Sequence, residues 1–231
     1  MGTPRGGSPD GVEAPRPGGA RDDVPRTGCG PGVVRFSSAR PERWRNGGGT
    51  TRVLLAAEAD DAGARPWRIS LADVDRAGPF SAFDGCERVL TVVEGELLLL
   101  TVQGREQGLE RHRPFRFDGG APASATLPTG SVRNLNVITA GGWKAHVAIV
   151  ELSRKRPHPV FAGQYAVFLD GAAEAVLPAA EASGAGSKHA ALERYDLVPG
   201  AGGYGGDAPT VTGRGFLAVV SLDAPGGPGA P

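Results

Sequence analysis

No charge of one sign dominates this chain. Its 25 basic residues are balanced by 25 acidic ones, so the formal net charge is zero. Balance of that kind gives no electrostatic case for binding nucleic acid or an anionic membrane surface. Apolar runs approaching the ~18 residues of a membrane span are absent, as is the apolar core of a secretory leader. The expectation is a cytoplasmic protein without membrane partners. Cysteine is nearly absent too: Cys29 and Cys86 are the only two. Two distant cysteines do not make a disulfide framework, and Cys86 reads as a small apolar thiol beside a turn. The four histidines, His112, His146, His158 and His189, show no metal-ligand spacing.

Glycine and proline are abundant, with 37 and 20 residues, but they are unevenly placed. Residues 1–32 hold nine Gly and six Pro, and residues 224–231 hold three of each. Both ends read as disordered tails, since such composition cannot bury a core. The folded unit is expected over 33–223. There, short runs of Val, Ile, Leu and Thr alternate with Gly, Pro and Asp breakers, the pattern of an all-β sandwich or barrel. Strands are expected at Val33–Ser37, Thr51–Ala57, Trp67–Asp75, Glu87–Val93, Glu96–Val102, Leu109–Phe117, Val132–Thr139 and Lys144–Leu152. A second set follows at Val160–Leu169, Glu174–Leu177, Leu192–Val198 and Pro209–Leu222, with a loop over 178–190. Glu94-Gly95 reads as a tight hairpin turn.

Three consecutive motifs carry more than composition does. They are Trp44-Arg45-Asn46-Gly47-Gly48-Gly49-Thr50-Thr51-Arg52, Trp67-Arg68-Ile69-Ser70-Leu71-Ala72-Asp73-Val74 and Gly78-Pro79-Phe80-Ser81-Ala82-Phe83-Asp84-Gly85. In this order they resemble the HutD/Ves family, small bacterial proteins associated with histidine utilisation or stress response. The segments Arg113–Gly119 and Arg133-Asn134-Leu135-Asn136-Val137 extend the resemblance, which covers about 33–155 well. Beyond 160 it is limited to Phe161-Ala162-Gly163-Gln164-Tyr165. The resemblance implies a cupin-type jelly-roll barrel, and a bicupin of two β-barrel units at about 33–155 and 156–223. No internal repeat supports the second unit independently.

Metal-binding cupins place His-x-His, then Glu, before a hairpin glycine, and a later His three residues after a Pro-x-Gly turn. Counting from Gly95 puts Arg88 at the Glu position, with Phe83 and Ser81 at the His pair. Counting from Pro128-Thr129-Gly130 puts Arg133 at the last ligand. Guanidinium has no lone pair to offer a metal, so no metal and no cofactor are expected. Arg instead reads planar carboxylates with a pair of hydrogen bonds. Alternation in Trp67–Val74 puts Arg68 and Ser70 on one face, and Asn134 shares a face with Asn136. The expected ligand site therefore comprises Asn46, Thr51, Arg68, Ser70, Ser81, Arg88, Arg133 and Asn136, around a small carboxylate. The resemblance suggests urocanate or a formylated glutamate as that ligand, and a regulatory role in histidine breakdown. A homodimer is allowed. The alternative is a metal-free cupin enzyme, an isomerase, epimerase or lyase. No acid/base pair is evident in the sequence for such chemistry, and no residue is assigned a catalytic role.

Overall fold

The computed structural model describes residues 32–59, 65–178, 186–201 and 207–226. Of the expected tails at 1–32 and 224–231, residues 1–31 and 227–231 lie outside the described residues, as does 179–185 of the expected loop.

The chain is all-β, with one 3-10 turn at Phe36–Ser38 and no α-helix among the described residues. Ten strands precede residue 140: β1 Pro41–Arg43, β2 Gly49–Ala56, β3 Trp67–Val74, β4 Gly78–Pro79, β5 Glu87–Glu94, β6 Leu97–Val102, β7 Arg105–Glu110, β8 Phe115–Asp118, β9 Ala123–Thr126 and β10 Val132–Thr139. Six follow: β11 Lys144–Glu151, β12 His158–Pro159, β13 Gln164–Leu177, β14 Lys188–Leu192, β15 Leu197–Pro199 and β16 Thr210–Asp223. No helix among the described residues is long and apolar enough to cross a membrane.

All strand pairings within the sheets are antiparallel. A six-stranded sheet runs β1-β2-β3-β10-β5-β8, and a four-stranded sheet runs β4-β9-β6-β7. The two close on an apolar core that includes Val74, Leu90, Leu98, Leu100, Leu109 and Val132. This is the first barrel unit. The other face of the six-stranded sheet carries Ile69, Leu71, Val89, Leu135 and Val137, packed against Val167, Leu169, Ala218 and Val220 of the third sheet. That sheet runs β11-β16-β13-β14, with β12 on β16 and β15 on β13. Its far face encloses another core, including Phe168, Val198, Val211 and Leu217. The period-2 alternation of β3, β10 and β16 thus feeds two cores per strand, which is why these strands read as near-continuous apolar runs.

Some details differ from the sequence reading. The expected strand Val33–Ser37 is a bridge at Val34, paired with Leu197, and then the 3-10 turn. Leu109–Phe117 splits into β7 and β8, because His112 adopts a left-handed φ of 64° between them. The loop expected through 190 ends earlier, since β14 begins at Lys188. Val160–Leu169 and Glu174–Leu177 are parts of one element centred on the 14-residue β13. It bends at a bulge between Phe168 and Asp170 beside β16. Gly215, at φ 112°, lies so close there that a Cβ would sit 1.8 Å from the Asp170 carbonyl oxygen. The strand β11 pairs with β16 along its whole length, so it belongs to the sheet of the C-terminal strands.

Polar contacts tie the halves together. Glu94, at the end of β5, accepts a hydrogen bond from the Tyr195 hydroxyl at 2.7 Å and lies 3.2 Å from Arg133 and 3.5 Å from Arg194. The Tyr195 hydrogen bond, with Arg194 and Arg133 adding to it, holds the Glu94 carboxyl below the usual glutamate range against the opposing effect of burial. A carboxylate with a depressed folded pKa contributes stability that is present above its unfolded value of about 4.3 and is lost as pH falls through the lower folded value. Thermal melts of wild type and Glu94→Gln should therefore differ by a constant amount above about pH 5.5, a margin of roughly one unit over that value. The gap should close as the buffer is acidified further. A gap that does not change with pH would remove Glu94 from this role.

Candidate functional site

The register across the six-stranded sheet builds a row of side chains inside the first barrel. Arg68 of β3 and Arg88 of β5 both pair with Ile138 of β10, and Arg88 pairs onward with Phe117 of β8. The next row holds Ser70, Asn136 and Leu90. The one after holds Thr51, Ala72, Asn134 and Val92. Directly opposed residues share a face, so two guanidiniums and two amides line the same side of one sheet.

Arg88 is only 6% exposed. Its Nη2 donates to Asn136 Oδ1 at 3.1 Å, and its Nη1 to the Ser81 carbonyl oxygen at 3.4 Å. Its Nε has no partner. Three rings surround the guanidinium: Phe117 at 5.0 Å, Phe83 at 5.4 Å and Phe80 at 5.5 Å from their centroids. Phe83 also lies 5.5 Å from the Arg68 guanidinium. Burial, with the Arg68 charge adding to it, lowers Arg88 from the usual guanidinium range to about 10. Burial likewise lowers Arg68, with the Glu42 charge acting against it. Among the described residues, neither Arg68 nor Arg88 forms a salt bridge. One row deeper, Asn134 is 1% exposed, and both its Oδ1 and Nδ2 lack partners.

The other expected site residues fall elsewhere. Arg133 lies apart from the arginine row. It has the parity of Leu135 and Val137, so it faces the seam between the halves, where it is bound to Asp73 at 2.6 Å and Glu94 at 3.2 Å and lies over the Tyr195 ring at 4.9 Å. The β10–β3 pairing runs unbroken through Arg133 and Asp73, so alternation alone sets Arg133 on the face opposite Asn134 and Asn136. Asn46 is exposed, and its Oδ1 accepts from Gly48 N at 2.9 Å, capping its own turn. Thr51 shares the barrel face, but its hydroxyl already accepts from Trp44 Nε1 at 2.8 Å. Ser81 is exposed and reaches the site through its carbonyl, not its hydroxyl. The ring cage escaped the sequence reading, which took Phe80 and Phe83 as core plugs. Only the spacing of two rings just before the β5 arginine hinted at it.

The donor set does not suit a metal. The frame positions hold a hydroxyl, a phenyl ring and guanidiniums, and no group of three or more His, Cys, Asp or Glu side chains among the described residues is arranged to hold an ion. What the arrangement offers is positive charge and neutral amides in a ring-lined interior.

A family model described as HutD matches residues 37–217. The chain belongs to the HutD family. It is 35% identical over 98 residues to an "Uncharacterized 21.2 kDa protein in hutC 3'region" of Pseudomonas putida, covering 42% of this chain and 52% of that protein. It is 40% identical over 98 residues to Protein Ves of Citrobacter koseri, covering 42% and 51%. The chain thus spans about half the length of the curated relatives it matches. The solved structure of HutD from Pseudomonas fluorescens SBW25, in a formate condition, is 28% identical with a TM-score of 0.65, covering 83% of this chain and 97% of that one. A conserved protein of unknown function from Pseudomonas aeruginosa PAO1 is 25% identical with a TM-score of 0.67, covering 83% and 98%. Hazelnut vicilin, 11% identical with a TM-score of 0.55, shares the fold alone.

Proposed function

We propose that this HutD-family chain binds a small carboxylate between the two sheets of its first barrel, held by Arg68 and Arg88 with Asn136 and Asn134 beneath. One observation carries the reading: Arg88 is nearly wholly buried next to a second arginine, and neither forms a salt bridge among the described residues. A buried cation costs free energy unless an anion meets it, and a carboxylate supplies that anion with geometry matched to guanidinium. The titratable groups that act on Arg88 are Arg68 and Cys86, and burial pushes the Cys86 thiol up. Neither is a proton acceptor at neutral pH, which favours binding over proton-transfer chemistry. Two descriptions of relatives agree with the reading: one lies in a hutC 3' region and another was solved in a formate condition. Urocanate and N-formylglutamate are accordingly the first ligands to test, in a regulatory role in histidine utilisation.

Calorimetric titration of both acids into wild type and Arg68→Ala tests this. A hydrogen bond between carboxylate and arginine contributes about 1.5–3 kcal/mol, so the variant should bind about ten- to a hundredfold more weakly. Binding of neither acid, or equal binding by a folded Arg68→Ala, would move the site away from this row.

A further inference from the structure

Away from the arginine row, a cleft of about 400 Å³ opens at the seam of the two halves. Its walls include Trp67 at the start of β3, Trp143 before β11 and Tyr165 in β13, with Pro66 and Leu222 completing the apolar surface. The Trp67 and Tyr165 rings stand 5.2 Å apart, tilted by 46°. Among the described residues, no charged side chain lines it.

The polar atoms of the three aromatic side chains are unspent. Among the described residues, the indole N–H groups of Trp67 and Trp143 and the hydroxyl of Tyr165 have no hydrogen-bond partner, and none of the three atoms is a buried orphan, so all remain open to an acceptor from outside. Burial of the Tyr165 ring raises its hydroxyl. The contrast lies within this chain: Trp44 Nε1 donates to Thr51, and the Tyr195 hydroxyl donates to Glu94.

We propose that the seam cleft is a second ligand site, for a small neutral ring compound carrying a carbonyl acceptor. Three features select that class. The volume lies at the small end of the range for ligand pockets, about 300–1,000 Å³. The aromatic walls suit a planar ring. Two indole N–H groups and one hydroxyl supply donors, and no cation among the described residues lines the cleft to favour an acid. The site is independent of the arginine row, so either can fail without the other.

Benzamide is the probe, with benzoate as its charged counterpart. The chain has three tryptophans, so a 15N-labelled sample gives three indole N–H resonances, assigned with Trp143→Phe and Trp44→Phe. Saturable shifts of the Trp67 and Trp143 resonances by benzamide, with Trp44 unmoved, are expected. Benzoate should need at least about tenfold higher concentration for the same shifts. Tyr165→Phe, which keeps the ring, should weaken benzamide about two- to tenfold, the worth of one net hydrogen bond of about 0.5–1.5 kcal/mol. No saturable shift of Trp67 or Trp143 up to ~10 mM, a supra-millimolar Kd being too weak for a site with three free donors, would overturn the proposal. So would tighter binding of benzoate at these two residues.

Discussion

Replacing Arg88 with methionine should abolish carboxylate binding and leave the ligand-free protein about as stable as wild type, or more so. The two effects have one cause. Burial and the Arg68 charge lower Arg88 from the usual guanidinium range to about 10. The fall means that folding disfavours the charged form, by about 3 kcal/mol at 1.36 kcal/mol per pKa unit. For a base whose folded pKa lies below its unfolded one, this penalty is fully present below the folded value of about 10, and so at pH 7; it would vanish only above the unfolded value. Methionine removes the charge and keeps apolar contact with Phe80, Phe83 and Phe117. Against that gain stand the lost hydrogen bond, with Asn136 Oδ1 left unpaired at about 1–3 kcal/mol, and three ring contacts. The terms nearly cancel. A structural arginine in a buried ion pair behaves otherwise: removing it costs about 3–5 kcal/mol, or roughly 6–20 °C in Tm at 2–4 °C per kcal/mol. Melting Arg88→Met without ligand separates these cases. A drop beyond about 6 °C, the lower bound of that range, would mean that Arg88 is held for the fold. In the expected case urocanate or N-formylglutamate raises the wild-type Tm by mass action and leaves the variant's unmoved.

The sequence shows which faces matter wherever alternation is unbroken. Arg68 and Ser70 share a face in Trp67–Val74, and Asn134 and Asn136 share one in β10, because period 2 admits no other arrangement. Arg133 obeys the same rule: it alternates with Asn134 and Asn136 and takes the face of Leu135 and Val137; only the count from the Pro128-Thr129-Gly130 turn put it in the site. The ring cage on Arg88 depends on the approach of Phe117 from β8 and Phe80 from beside β4, contacts between segments far apart in the chain. The C-terminal half was harder still. Gly171 looks like a strand breaker, but at φ 105° it sits opposite Gly215 at a bend that both long strands share. The seam cleft is wholly tertiary: Trp67 and Tyr165 are about a hundred residues apart, and nothing local indicates that their polar tips stay unpaired.

Asp196→Ala should be the most destabilising single substitution considered for this chain. Asp196 is fully buried and its carboxylate is fully engaged. Oδ1 accepts from Phe36 N at 3.0 Å, and Oδ2 accepts from Arg35 Nη1 at 2.5 Å and Glu193 N at 2.9 Å. Two of these donors belong to the segment before β1, which also bridges through Val34 and Leu197 in both directions. The carboxylate therefore fastens the Val34–Phe36 segment onto the C-terminal half. Alanine leaves two backbone N–H groups without an acceptor and the Arg35 guanidinium without its anion. Breaking a buried charged contact from one side costs about 3–5 kcal/mol, a large part of the 5–15 kcal/mol that holds a typical domain. The expected fall in Tm is roughly 6–20 °C. Asp196→Asn keeps one oxygen acceptor and should lose less. Limited proteolysis near Arg35 and Arg40 should accelerate in the alanine variant, because the released segment is the one that Asp196 holds. A melting point within about 2 °C of wild type, the worth of less than 1 kcal/mol, would mean that water replaces the carboxylate and that the segment is held by its Val34–Leu197 backbone pair instead.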